Sequence, residues 1–269
     1  MSANIYRHEF RSRLPSVAIW SLAQAILLIF YFSFFPSLAD EAALMNEMME
    51  RFPAEMRAAF GLDKMDLSTV LGYFSLCFLF AQLCLAVQAS TYGVGLVSGE
   101  EIERTADFLL SKPVSRTQVL TSKLLAALTG LALTGLAVWA SSYAAIELFR
   151  GQRPYDGQVL RLVLLSVPIF QMFFLSVGLA ISLLVKRMRS VTPYALGLAF
   201  GMYVLSAFSG VLGDVKLELI TPFKHLDAAA LVQSGAYNLP LVALNVSVSL
   251  VSLAAGYWLY VRRDIPAVA

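Results

Sequence analysis

The chain has 269 residues, 58% of them apolar and 14% charged, against about 45–50% apolar and about 25% charged in a soluble domain. The excess is gathered into long unbroken runs, and no polar stretch between them exceeds roughly thirty residues, too few for an independent soluble core. A net charge of +2 offers no footprint for nucleic acid.

Residues 3–14 place Tyr6, Phe10 and Leu14 four apart, with Arg7 and Arg11 on a neighbouring face. This predicts a basic amphipathic helix lying in the membrane interface. The first span follows over Pro15–Phe35. Ser37-Leu38-Ala39 resembles a cleavage site, but Val17–Phe35 is 19 residues, longer than the 7–15 of a signal core. An uncleaved span is expected. Residues 40–61 carry Met45, Met48, Met49, Phe52, Met56 and Phe60 at helical spacing, bent near Pro53. Such a stripe suits a flexible apolar face, and its thioethers would also suit Cu(I).

The second span is expected over Ser68–Val97 and holds both cysteines, Cys77 and Cys84. Seven residues apart on one helical face, they read as packing residues, not as a disulfide or zinc framework. The loop after it has internal order. Ile102, Ala106, Leu109 and Leu110 line one face of a short helix, Glu100, Glu101 and Glu103 crowd its start, and Lys112 closes it before Pro113. That order of charge complements the helix dipole. A helix this acidic is either a surface helix on the bilayer or a docking element for another protein. Ser115-Arg-Thr-Gln118 has the spacing of a capping box and opens the third span, Thr117–Leu148.

The fourth and fifth spans are expected over Leu162–Val185 and Val191–Leu212. In the fifth, Gly197-x-x-x-Gly201 permits close helix contact, within one subunit or between two copies. Residues 214–238 begin with acids, contain Thr221-Pro222-Phe223, and predict a short outer cap or re-entrant segment. The sixth span is Leu239–Val261; Asn245-Val-Ser247 lies inside it, so this glycosylation pattern is unused. Helix is required because backbone groups cannot stay unpaired in lipid, and continuous apolar runs exclude an alternating barrel. The expected fold is all-α: one polytopic domain over 1–269 with six transmembrane helices.

With the N-terminus inside, segments 1–14, 98–123, 186–190 and 262–269 hold 12 of the 20 basic residues in 53 positions. Segments 36–67, 149–161 and 213–238 hold 8 in 71, with more acids than bases. The bias places both termini in the cytoplasm. Inside the spans the polar residues are Gln24, Gln82, Gln88, Gln171 and Asn245, with no acid or base at mid-span. They line a path or bond between helices. The lack of charge counts against a gradient-driven carrier, and no catalytic group for an intramembrane enzyme stands out. His8 and His225 fall on opposite sides of the membrane and read as surface residues.

Four stretches together resemble one family, the permease subunits of type 2 ABC transporters, exporter-like in class. They are Ile5-Tyr-Arg-His-Glu-Phe-Arg11 with Trp20; Phe52-Pro-Ala-Glu-Met56 and Ala59-Phe-Gly-Leu62; Leu109-Leu-Ser-Lys-Pro-Val-Ser-Arg116 followed by Lys123; and Thr221-Pro-Phe-Lys-His-Leu-Asp227. The resemblance implies that residues 3–14 form an N-terminal elbow helix. It also implies that Glu100–Lys112 forms a cytoplasmic coupling helix, docking an ATPase through Glu100, Glu101, Arg104, Asp107, Phe108, Leu109 and Lys112. A second permease copy is implied, with Gly197 and Gly201 as candidate contacts. No Gly-x-x-x-x-Gly-Lys-Ser/Thr loop occurs in the chain. ATP and Mg²⁺ are therefore expected on a separate ATPase subunit, with no cofactor or metal held here, and the expected location is the plasma or inner membrane. A scaffold or sensor docking a cytoplasmic partner is the alternative reading, and a gradient-driven carrier a third. Reporters fused to either terminus are expected to report from the cytoplasm; extracellular accessibility of both would overturn the topology.

Overall fold

The computed structural model of the protein describes residues 2–41, 51–53, 57, 66–103, 114–185, 188–212 and 216–262. The methionine stripe beyond Phe52 and most of the acidic loop, Arg104 to Pro113, lie outside them. The described residues form helices α1 (Ala3–Phe32), α2 (Phe35–Asp40), α3 (Val70–Glu103), α4 (Arg116–Phe149), α5 (Gly157–Leu184) and α6 (Thr192–Leu212). A 3₁₀ turn (Lys216–Leu219), α7 (Pro222–His225), α8 (Ala228–Ser234) and α9 (Leu239–Arg262) complete them.

The helix starts follow from short polar side chains placed where backbone N–H groups lack partners. Ser115 Oγ accepts from the Gln118 backbone N–H at 3.2 Å, while Gln118 Oε1 accepts from the Ser115 N–H at 3.3 Å, the expected capping box. Asp156 caps α5 through Gln158 N at 2.7 Å and Asp227 caps α8 through Ala229 N at 3.0 Å. α8 stops at Gly235, whose φ of +64° only glycine adopts without strain.

α3 and α5 form the centre: 67% of the most apolar stretch of each is buried, against 22% for α1 and 17% for α9. Where they cross, a Cβ on Gly93 would lie 2.2 Å from the Leu175 carbonyl oxygen, and one on Gly178 would lie 3.1 Å from Ser90 O. The two backbones touch because neither residue has a side chain. α1 packs chiefly on α4, α9 on α5, and α6 on α3.

The ends show how the long helices run. Ser2 N donates to Ser122 Oγ at 2.8 Å, Lys123 Nζ to Leu96 O at 2.9 Å and Arg116 Nη1 to Val261 O at 3.5 Å. The start of α1, the last turns of α3, the start of α4 and the end of α9 thus share one end of the bundle, called here the basic end. A Cβ on Gly95 would lie 3.8 Å from Val191 Cγ2 there too, so α6 sets out from this end. The other end is closed by α7 and α8 and is called the cap end.

Two expectations are corrected. Among the described residues, five helices, against the six expected, are long and apolar enough to cross a membrane: α1 continuing through α2, α3, α4, α5 and α9. α6 has 21 residues and runs between the same two ends, with Thr192, Pro193 and Tyr194 in its first turn. Second, residues 3–14 are no separate elbow. They are the first turns of α1, which passes through Pro15 unbroken. The reason is a partner: Tyr6 Oη meets Thr129 Oγ1 at 3.1 Å on α4, so continuing the helix pairs polar groups that an interfacial helix would leave to water and headgroups.

Pro168, inside α5, removes the N–H that the Leu164 carbonyl would have accepted. Trp139 of α4 fills the gap, its indole N–H donating to Leu164 O at 3.0 Å. Within lipid a proline is tolerated when a neighbour re-satisfies the freed group in this way.

Enlarging Gly93 is expected to cost about 1–3 kcal/mol or more for each added methyl-sized group forced into the crossing. Thermal unfolding in detergent should therefore show Gly93→Val strongly destabilised. Gly197→Val, which meets no atom within 4 Å, should unfold within a degree or two of the parent, and equal melting of the two variants would refute the crossing.

Candidate functional site

At the basic end, α3 does not stop at Val97. It continues as one helix to Glu103, so Glu100 and Glu101 ride on the last turns of the second long helix and do not begin a separate one. Arg104, Asp107, Phe108, Leu109 and Lys112 lie outside the described residues. On the far side of the loop the chain re-enters at Val114 and is fixed at once by the Ser115 cap. Residues 104–113 therefore connect the ends of α3 and α4.

Lys123 ties those ends together. It sits two turns into α4, only 3% exposed, with Nζ 2.9 Å from Leu96 O and 3.6 Å from Glu9 Oε1 of α1. Glu9 also holds Arg13 at 3.4 Å, whose guanidinium lies 5.0 Å over the Tyr92 ring of α3, and Tyr92 Oη meets Ser16 Oγ at 3.1 Å. A buried cation is tolerated when paired and hydrogen-bonded in this manner. The sequence pattern marked Lys123 as part of a family motif without indicating its burial or its partner on α1. The one available signal was its position, a lysine among apolar residues beyond the loop.

The interior polar residues bond between elements. Gln24 Nε2 donates to Ala81 O at 3.1 Å, Gln82 Nε2 to Leu226 O at 3.0 Å and Gln88 Nε2 to Thr134 Oγ1 at 2.9 Å. Each such bond is worth about 0.6 kcal/mol on average in a membrane bundle. Gln171 is buried, with no partner for its Nε2 among the described residues.

The cap end is wedged into the bundle. Gln82 lies about 18 Å along α3 from its start, at 1.5 Å per residue, and still reaches the Leu226 carbonyl. Phe223 packs at 5.1, 5.9 and 5.6 Å from the Phe170, Phe174 and Tyr203 rings, edge-on in each case, and Thr221 Oγ1 donates to Met202 O at 2.8 Å. The segment packs against the inner faces of α3, α5 and α6. A cavity of about 400 Å³ opens beside it, lined among others by Glu218, Lys224, His225, Asp227 and Tyr237. His225 is buried, not at the surface as its sequence context suggested; its Nδ1 is 3.4 Å from Asn245 Nδ2 of α9. Burial pushes its pKa below the ordinary imidazole range, outweighing the Leu219 and Glu218 carbonyls, which pull it up.

Gly197 and Gly201 lie on an exposed face of α6 with Tyr194, Phe200, Val204 and Phe208, and among the described residues no neighbouring element comes within 4 Å of a Cβ added at either. Among the described residues they serve no packing inside the subunit. The close helix contact belongs to Gly93 and Gly178, which the Gly-x-x-x-Gly pattern did not single out.

Comparison with known proteins meets this geometry over nearly its whole length: residues 3–265 match the family described as ABC-2 family transporter protein. The chain belongs to the ABC-2 transporter family. No curated protein gives a significant match. As an ABC-2 family member it is a multi-pass membrane protein and a permease component of an ABC transporter, a membrane transport domain and not the ATPase, and the family in general pairs with an ABC ATPase subunit.

His225 gives a sign-defined test. A histidine whose folded pKa lies below its unfolded value contributes stability that is complete above about pH 6.5 and drains as pH falls through the folded value. Hydrogen exchange across 216–234 is expected to quicken several-fold between pH 7.5 and pH 5 after correction for intrinsic rates. His225→Gln should flatten that dependence, and a parent profile already flat would contradict it.

Proposed function

We propose that this chain is the membrane-spanning permease subunit of an ATP-driven exporter in a cell membrane, with both termini cytoplasmic. A separate ATPase docks on the segment Glu100–Lys112. The observation that carries this reading is the unbroken helix from Val70 to Glu103, which joins an acidic end directly to the most buried helix pair of the bundle. A partner seated there would act on a rigid lever about 50 Å long, at 1.5 Å per residue, and not on a slack loop.

In this reading ATP binding closes a pair of ATPase subunits and draws the 100–112 segments with them. The ends of α3 and α4 shift, and the central α3–α5 pair tilts. Two permease copies complete the pathway. The face of α6 bearing Gly197 and Gly201 supplies the contact between copies, since it is apolar, lacks side-chain obstruction and has no neighbour at either glycine among the described residues. The absence of a phosphate-binding loop from the sequence is why ATP and Mg²⁺ are assigned to the partner.

The test is charge reversal at the docking segment. Glu100→Lys, Glu101→Lys and Arg104→Glu together are expected to release the ATPase, or to retain it with its permease-stimulated hydrolysis lowered at least tenfold, while expression and melting stay unchanged. If pull-down of the ATPase and stimulated hydrolysis both survive, docking at this segment is wrong.

A further inference from the structure

The helix α1 enters the bundle late and shallowly along most of its length, yet its first turns are fastened at several points. Ser2 N reaches Ser122, Tyr6 reaches Thr129, Glu9 reaches Lys123, and Arg13 stacks on Tyr92. The contacts converge on the basic end, where α3 and α4 lie on either side of the 104–113 connection. Lys123 is the one described side chain there that binds both neighbours at once: a backbone carbonyl of α3 at Leu96 and a carboxylate of α1 at Glu9. Leu96 lies four residues before Glu100, about one helical turn.

We propose that Lys123 is a positioning residue that makes α1 move with the ends of α3 and α4, so that a displacement of the 100–112 segment is delivered to α1 through the Leu96–Lys123–Glu9 bridge. The inference rests on ATPase docking at that segment. Its physical basis is the difference between the two bonds. The bond to Leu96 O fixes the ammonium to the helix that ends in the loop. The ion pair with Glu9, in a site where Lys123 is almost wholly withdrawn from water, cannot be broken without leaving buried charge less well compensated. Nζ thereby links the first turns of α1 to the end of α3, beside the contacts that hold α1 on α4. The Arg13–Tyr92 contact secures the same helix one turn further along.

The experiment uses the full chain with the ATPase that co-purifies with it from native membranes. Cys77 and Cys84 are replaced by alanine, and exposed His8 on α1 is changed to cysteine and labelled with an environment-sensitive fluorophore. With Lys123 present, the emission is expected to differ between nucleotide-free and nucleotide-trapped complexes. In Lys123→Gln that difference should fall at least fivefold while the ATPase stays bound, and Lys123→Arg should restore most of it. Glu9→Gln breaks the bridge from the α1 side and leaves the Leu96 bond, so it gives the same answer if Lys123→Gln does not fold. A purely structural role would alter melting but would not remove a nucleotide-dependent signal that arginine restores. A signal that persists undiminished in both Lys123→Gln and Glu9→Gln overturns this inference alone. Failure of the ATPase to bind even the parent chain overturns the docking reading and this inference with it.

Discussion

Everything in this bundle is arranged around the place where the backbones of α3 and α5 touch at Gly93 and Gly178. In lipid there is no hydrophobic gain in joining two apolar helices, because acyl chains are as apolar as leucine. What remains is close packing, and closeness needs missing side chains. Once α3 and α5 are locked at that depth, Gln82 is at the height where Leu226 of the cap can be reached, and Ser90 and Val94 line the contact itself. The remaining helices pack around a pair whose spacing is already set.

The second organising demand is that each backbone group freed from a helix must find another donor or acceptor. Trp139 answers for Leu164 below Pro168, and Gln24 and Gln82 supply extra donors to carbonyls of neighbouring elements. Polar residues that would hint at a translocation path in sequence are thus largely occupied in holding the subunit together. A pathway between two copies would draw on the exposed faces, not on these groups.

Much of the fold was legible because membrane insertion writes itself into composition. The spans, the Ser115 capping box and the cap before the last span came from run length, spacing and turn chemistry. The errors share one cause, which is that local pattern does not record what a segment will meet. Residues 3–14 have the face of an interfacial helix, but Thr129 and Lys123, over a hundred residues away, make them part of α1. Gly197 and Gly201 have the spacing of a packing motif, whereas Gly93 and Gly178 stand in no such pattern and make the contact. His225 sits in a polar neighbourhood of sequence yet is folded under α9 beside Asn245. The segment proposed to dock an ATPase was legible only as a charge order and a family likeness, and the structure adds the helix that leads into it.

The order in which the helices find each other has a consequence for biogenesis. α1 packs chiefly on α4, and 84 residues separate Phe32 from Arg116. At about 5–20 residues per second of synthesis, α1 waits in the membrane for several seconds before its principal neighbour leaves the ribosome. Over that interval it has to stand alone in lipid, which a helix with so apolar a body can do. Gln24 is the exception, shielded only after Ala81 has emerged. Insertion of this chain is therefore a timed assembly in which the first helix is placed early and claimed late.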